Sequence, residues 1–207
     1  MKPALQVTEL LYRYRAGFSL GPVDLDLGPG LVHLRGPNGS GKTTLLRCLC
    51  GALHPTGGRI RLCGGDPVRD PATRRLVAFL PAEPDLPDFL RVDEAWQTLA
   101  TLRGAHGWSG AGLCESLELP PDLVLAHGSA GQRRKAELVA VLAGDPPVLL
   151  LDELFNHLDR DAVRIVTSWL SDWRRDRLVL AAGHVPLDAD ATLDVRPGRP
   201  LALRHGA

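Results

Sequence analysis

Residues 36–44, "GPNGSGKTT", set three glycines, a lysine and two threonines within a single turn and the start of a helix. The stretch matches G-x-x-x-x-G-K-[ST], a pattern whose chemistry is phosphate binding. Gly36, Gly39 and Gly41 let the backbone wrap an anion with its N–H groups turned inward. The following helix adds the positive end of its dipole. Lys42 supplies a charge for the outer phosphates, and Thr43 a hydroxyl for Mg²⁺. The expected nucleotide-contacting set is Gly36, Asn38, Gly39, Ser40, Gly41, Lys42, Thr43 and Thr44.

A second group of residues narrows the chemistry. "VLLLDE" (148–153) is an apolar run ending in two carboxylates. At the tip of a buried strand Asp152 can hold Mg²⁺ through water, and Glu153 can take a proton from an attacking water. Acidic residues also cap strand ends for purely structural reasons. The base-reading motif N-K-x-D of GTPases is not matched by "NHLD" (156–159). A third stretch, "GSAGQRRKA" (128–136), is a second anion-binding turn: Ser129 is a good helix N-cap, and Gly131 permits close backbone approach. Its basic run "QRRK" covers barely one helical turn and is expected to form a solvated or partner-contact face.

The elements that must position these groups follow from hydrophobic periodicity. "ALQVTEL", "VDLDL", "LVHLRG", "GRIRLCG", "LVAFLP", "VLLLD" and "RLVLAAG" read as strands, alternating in part with helical patterns. The helix after the glycine loop is expected over 42–53, with Leu45, Leu46 and Leu49 inward. The continuously apolar "VLLLD" suits a strand covered on both faces. Between 83 and 128 prolines bracket two helical patterns, about 93–103 and 110–117, with no strand signal. The expectation is an α/β P-loop NTPase fold: a mostly parallel central sheet, an N-terminal antiparallel β region, and a small helical subdomain inserted at about 83–135 of a single domain spanning 1–207.

Composition excludes other classes. Lys+Arg and Asp+Glu both number 24, and aromatics are 5% of the chain, so neither a basic footprint nor a base-stacking platform for nucleic acid is present. No apolar run reaches the roughly 18–20 residues of a membrane span. The N-terminus has no signal-peptide pattern, and a cytoplasmic location is expected. Cys48, Cys50, Cys63 and Cys114 lack CxxC spacing and read as small buried hydrophobes.

Taken together, these motifs resemble the nucleotide-binding domain of ATP-binding cassette (ABC) proteins along nearly the whole chain. The family's signature, usually L-S-G-G-Q, resembles "GSAGQ", with Ser129, Ala130, Gly131 and Gln132 in matching positions. "LFNHLD" resembles the D-loop ending in Asp159, "LAAGHVP" the switch segment carrying His184, and "LLYRY" the segment whose aromatic ring stacks on adenine. Tyr14 matches by spacing, with Tyr12 the alternative. The resemblance implies ATP and Mg²⁺ as ligands, Glu153 and His184 as catalytic residues, and a signature turn that faces ATP bound to a second cassette. It implies a homo- or heterodimer driving separate membrane-spanning subunits, at the inner face of the membrane. No regulatory domain is expected after "LALRHGA".

Three positions depart from the family pattern. Ala82 stands where a glutamine contacts Mg²⁺ and the attacking water; Glu83 substitutes if the loop shifts by one residue. Gly128 and Ala130 replace the usual leucine and first glycine of the signature, and Leu154 follows Glu153 where proline is common. Two rivals remain at this stage: a degenerate cassette that binds ATP beside a different, active one, and a soluble non-transport ABC ATPase. The short span between Ala82 and Ser129, without heptads, argues against the coiled-coil branch of the latter.

Overall fold

Alternating burial along Leu5–Arg13 (β1) and Ser19–Leu27 (β2) gives two strands with one apolar face each. They precede Gly30–Arg35 (β3), Lys42–Leu49 (α1), Gly57–Leu62 (β4), Pro71–Arg75 (α2) and Val77–Leu80 (β5). Val92–Arg103 (α3), Ala111–Ser116 (α4), a 3-10 turn at Leu125–His127 and Ala130–Val141 (α5) follow. The chain continues through Val148–Leu151 (β6), Arg160–Trp173 (α6), Leu178–Ala182 (β7), Ala191–Asp194 (β8) and Ala202–His205 (β9). The computed structural model describes residues 5–15, 17–196 and 201–205, so Ala4 of the first expected strand lies outside them.

β1 pairs antiparallel with both β2 and β4 to form a three-stranded sheet. The main sheet runs β5-β6-β7-β3-β8-β9, parallel throughout except for the last pair. Both faces of its centre are covered. Leu149, Leu151, Val179 and Ala181 pack with residues of α3, α5 and α6, while Val148, Leu150, Leu178 and Leu180 pack with α1 and the antiparallel sheet. All four side chains of β6 are fully buried, each worth roughly 1.5–3 kcal/mol of transfer free energy. This explains an apolar run without alternation and fixes the strand that ends at Asp152.

The first helix is shorter than expected. It stops at Leu49 because Gly51 adopts φ +78°, and a Cβ there would lie 2.2 Å from the Pro67 carbonyl oxygen. In the helical region α3 and α4 match the expected patterns, but α5 runs beyond 135 to Val141 and packs on both α3 and β5. It therefore links the inserted helices to the sheet. α2, α6, β8 and β9 complete the fold without having been read from sequence.

Candidate nucleotide site

The loop 36–41 joins β3 to α1, whose N-cap is Gly41 at φ +107°. Gly36 sits at φ +155° and has no room for a side chain: a Cβ would lie 2.2 Å from the Val195 carbonyl oxygen. Beside the loop opens a cavity of about 450 Å³ lined by Tyr14, Phe18, Asn38, Glu153 and the residues 39–44. That volume falls within the usual range of small-ligand pockets. Lys42 Nζ donates to the carbonyls of Gly36 (2.9 Å) and Pro37 (3.4 Å), so the cation is parked within its own loop.

β6 brings Asp152 to Thr43, whose hydroxyl donates to Asp152 Oδ2 at 2.6 Å. The other carboxylate oxygen, Oδ1, is buried without a partner, as is Ser40 Oγ. Glu153 follows in the left-handed region (φ +46°) and turns its side chain into the cavity. His184, just past β7, sets Nε2 3.1 Å from Asn38 Oδ1 and 3.7 Å from Glu153 Oε1. Three separate segments thus meet at the ends of the parallel strands β3, β6 and β7.

Tyr14, not Tyr12, lines the cavity. Its hydroxyl lies 3.2 Å from Thr44 Oγ1, and Tyr12 packs edge-on against its ring at a centroid distance of 4.8 Å. Phe18 was missed by sequence reading. The turn through Gly17 returns the chain so that Tyr14 N–H donates to the Phe18 carbonyl (2.9 Å), and the two rings sit 5.9 Å apart. The signal was an aromatic residue just beyond a glycine turn.

The signature turn is elsewhere. Ser129 and Gln132 form a reciprocal capping box at the start of α5, with Ser129 Oγ accepting from Gln132 N–H (3.2 Å) and Gln132 Oε1 from Ser129 N–H (2.9 Å). None of residues 129–132 lines the cavity beside Lys42. Gly131 admits the D-loop of its own chain: a Cβ there would sit 3.0 Å from the His157 carbonyl oxygen. Lys135 pairs with Asp159 at 2.8 Å, and Asp159 also accepts from Ala162 N–H (2.8 Å) as the N-cap of α6. The Ala162 bond and then Lys135 hold the Asp159 carboxyl below its ordinary range.

Two expectations require correction. Glu83 does not line the cavity beside Lys42: its carboxylate pairs with His157 Nε2 at 3.1 Å and lines a separate cavity with Leu86, Leu125, Arg133 and His157. His157 takes up the carboxylate that a one-residue loop shift would otherwise offer to the metal. The basic run is not a solvated face throughout, because Arg134 is fully buried while Arg133 is exposed. His33, also unread from sequence, is buried on β3 with Nε2 3.3 Å from the Gly183 carbonyl oxygen, and burial lowers its pKa.

A parallel sheet with a glycine loop running into α1, and a strand-end carboxylate on the loop's threonine, defines a P-loop nucleotide-binding domain. Comparison with known proteins narrows this. Residues 20–156 match the sequence model of the family described as ABC transporter. The chain is 38% identical over 172 residues to a cytochrome c biogenesis ATP-binding export protein of Rhizobium meliloti, covering 79% of this chain and 81% of that one. It is 33% identical over 179 residues to a sulfate/thiosulfate import ATP-binding protein of Xanthomonas campestris, covering 81% of this chain but only 52% of the longer relative. Its fold superposes with a TM-score of 0.86, at 19% identity and over 97% of this chain and 98% of the other, on an ATP-binding cassette solved as a dimer in a post-hydrolysis state with ADP and Pi. The chain belongs to the ABC transporter family, as an ATP-binding and ATP-hydrolysing cassette.

Proposed function

We propose that this chain powers transport through separate membrane-spanning subunits, by closing on a second cassette when ATP binds and reopening after hydrolysis. The observation that carries this reading is the split site. Residues 38–44 and Glu153 line one cavity, with Asp152 bonded to Thr43 and His184 to Asn38, while none of residues 129–132 lines it, which supports a signature turn that serves a neighbour's nucleotide. Among the described residues no helix is long and apolar enough to cross a membrane, so the translocation path belongs to partners. The groove lined by Glu83, Leu86 and Leu125, with Phe89 74% exposed nearby, is our candidate for docking them at the cytoplasmic face.

The chemistry follows from the groups at hand. An entering triphosphate offers Lys42 Nζ oxygens in place of the Gly36 and Pro37 carbonyls it now contacts. Tyr14 stacks on adenine. The Thr43 hydroxyl and Asp152 fit Mg²⁺, a cation that takes few protein ligands and keeps water and phosphate oxygens, and the unpartnered Asp152 Oδ1 supports that fit. When bound, Mg²⁺ neutralises charge on the β- and γ-phosphate oxygens. Glu153 accepts the proton of the attacking water, and His184, held by Asn38 Oδ1, contacts the γ-phosphate. Loop amides and Lys42 stabilise the developing charge.

The test is the solution mass of Glu153→Gln with and without MgATP, beside turnover of the unaltered chain. A monomer that becomes a dimer only with MgATP, and turnover abolished by the substitution, are expected. A variant that binds MgATP and stays monomeric removes the homodimeric form of this proposal.

A further inference from the structure

Arg134 is the largest fully buried side chain described, and it lies in the helix that carries the signature turn. Three of its four hydrogen bonds go to carbonyls outside that helix. Nη2 donates to the carbonyls of Asp152 (2.9 Å) and Glu153 (2.8 Å), and Nη1 to the carbonyl of Pro81 (2.5 Å) and to Glu137 Oε2 (3.1 Å). Glu137, one turn along α5 and likewise buried, accepts from Asp85 N–H at 2.7 Å through Oε1.

We infer that the buried Arg134–Glu137 pair is a positioning device that sets the backbone of Glu153 and ties it to the signature helix. The two carbonyls held by Nη2 belong to the peptide units on either side of Glu153, and those two planes define its φ and ψ. Glu153 needs such support, because φ +46° is disfavoured for a residue with a Cβ. The same pair grips both ends of the segment 81–85, through the Pro81 carbonyl and the Asp85 amide. That segment holds Ala82, where the family's glutamine is missing, and it is held at both ends through its backbone. When the signature turn seats on a neighbour's nucleotide, any displacement of α5 reaches Glu153 through one guanidinium. Removing the two ions from water is costly unless each remaining group is bonded, and here only Arg134 Nε lacks a partner.

This inference rests on Glu153 being the proton acceptor, and the experiment separates the two. Arg134→Lys keeps the charge beside Glu137 but loses the planar fork that reaches three carbonyls. Misplacement of a catalytic group lowers turnover by roughly 10- to 100-fold, so kcat is expected to drop by that much while KM for MgATP stays within about threefold. The double variant Arg134→Met, Glu137→Met replaces the pair by apolar groups and is expected to fold and to show the same loss. Amide exchange of residues 152–158 without nucleotide reads the clamp independently of turnover, and is expected to quicken about tenfold in Arg134→Lys. A folded variant with unaltered kcat and exchange overturns the inference, and so does loss of the fold in both variants, which assigns the pair to the core alone. If Glu153→Gln itself retains turnover, the reading of Glu153 has failed; if it abolishes turnover while Arg134→Lys changes nothing, only the clamp has.

Discussion

Replacing Tyr14 by alanine tests whether the cavity recognises a base and not merely a phosphate chain. Residue Tyr14 is 38% exposed, its ring is contacted edge-on by Tyr12 at 4.8 Å and by Phe18 at 5.9 Å, and its hydroxyl lies 3.2 Å from Thr44 Oγ1. Stacking of a base on an aromatic side chain is worth about 1–3 kcal/mol. For a residue this exposed the lower part of that range applies, so about 1–2 kcal/mol and a 5- to 30-fold weaker MgATP Kd are expected. Tyr14→Phe keeps the ring and loses only the contact with Thr44, so it should bind MgATP within about fivefold of the unaltered chain. Calorimetric titration with MgATP and with magnesium tripolyphosphate separates the terms, since tripolyphosphate has no base. The reasoning is refuted if Tyr14→Ala binds MgATP unchanged, or if it loses tripolyphosphate affinity in equal measure.

Gly36→Ala combines a disfavoured φ of +155° with a Cβ 2.2 Å from the Val195 carbonyl oxygen and 2.7 Å from Ser40 Oγ. A loss of roughly 2–5 kcal/mol is expected, a melting-temperature drop of about 5–15 °C by calorimetry, and a drop under about 2 °C would contradict the backbone contact. Burial lowers the pKa of His33 in the fold, so its contribution to stability is present above about pH 6.5 and is lost as pH falls below it. Asp190, held low chiefly by Arg174, and Asp159, held low by the Ala162 amide and Lys135, contribute stability above about pH 4 that is lost in more acid solution. Melting curves from pH 8 to pH 3 should therefore decline in two stages, with the first absent in His33→Gln; a single decline confined to below about pH 4 would contradict the burial argument for His33.

Much of the site was legible because its chemistry is local. The glycine loop, Lys42 and Thr43 sit within nine residues, and the strand before and the helix after them follow from hydrophobic pattern alone. Asp152 could be named because a strand buried on both faces is uniformly apolar and stops at the first charge. Where pattern and packing disagree, the reading failed. Arg134 lies in a run of basic residues that looks solvated, yet α5 presents that one position to the carbonyls of two distant loops. Glu83 looked like a stand-in for the missing glutamine, and its partner, His157, is 74 residues away.

The residue types and their spacing determined that this chain has a phosphate-binding loop, a carboxylate pair and a second capped turn, since each depends on neighbours along the backbone. Only the tertiary structure decided which of these share a cavity. The order β5-β6-β7-β3 carries Asp152, Glu153 and His184 to the loop at 36–44, and residues 129–132 take no part in the cavity there. Strand order and helix packing depend on contacts between residues far apart in sequence, and burial of a single arginine among them has no periodic signature.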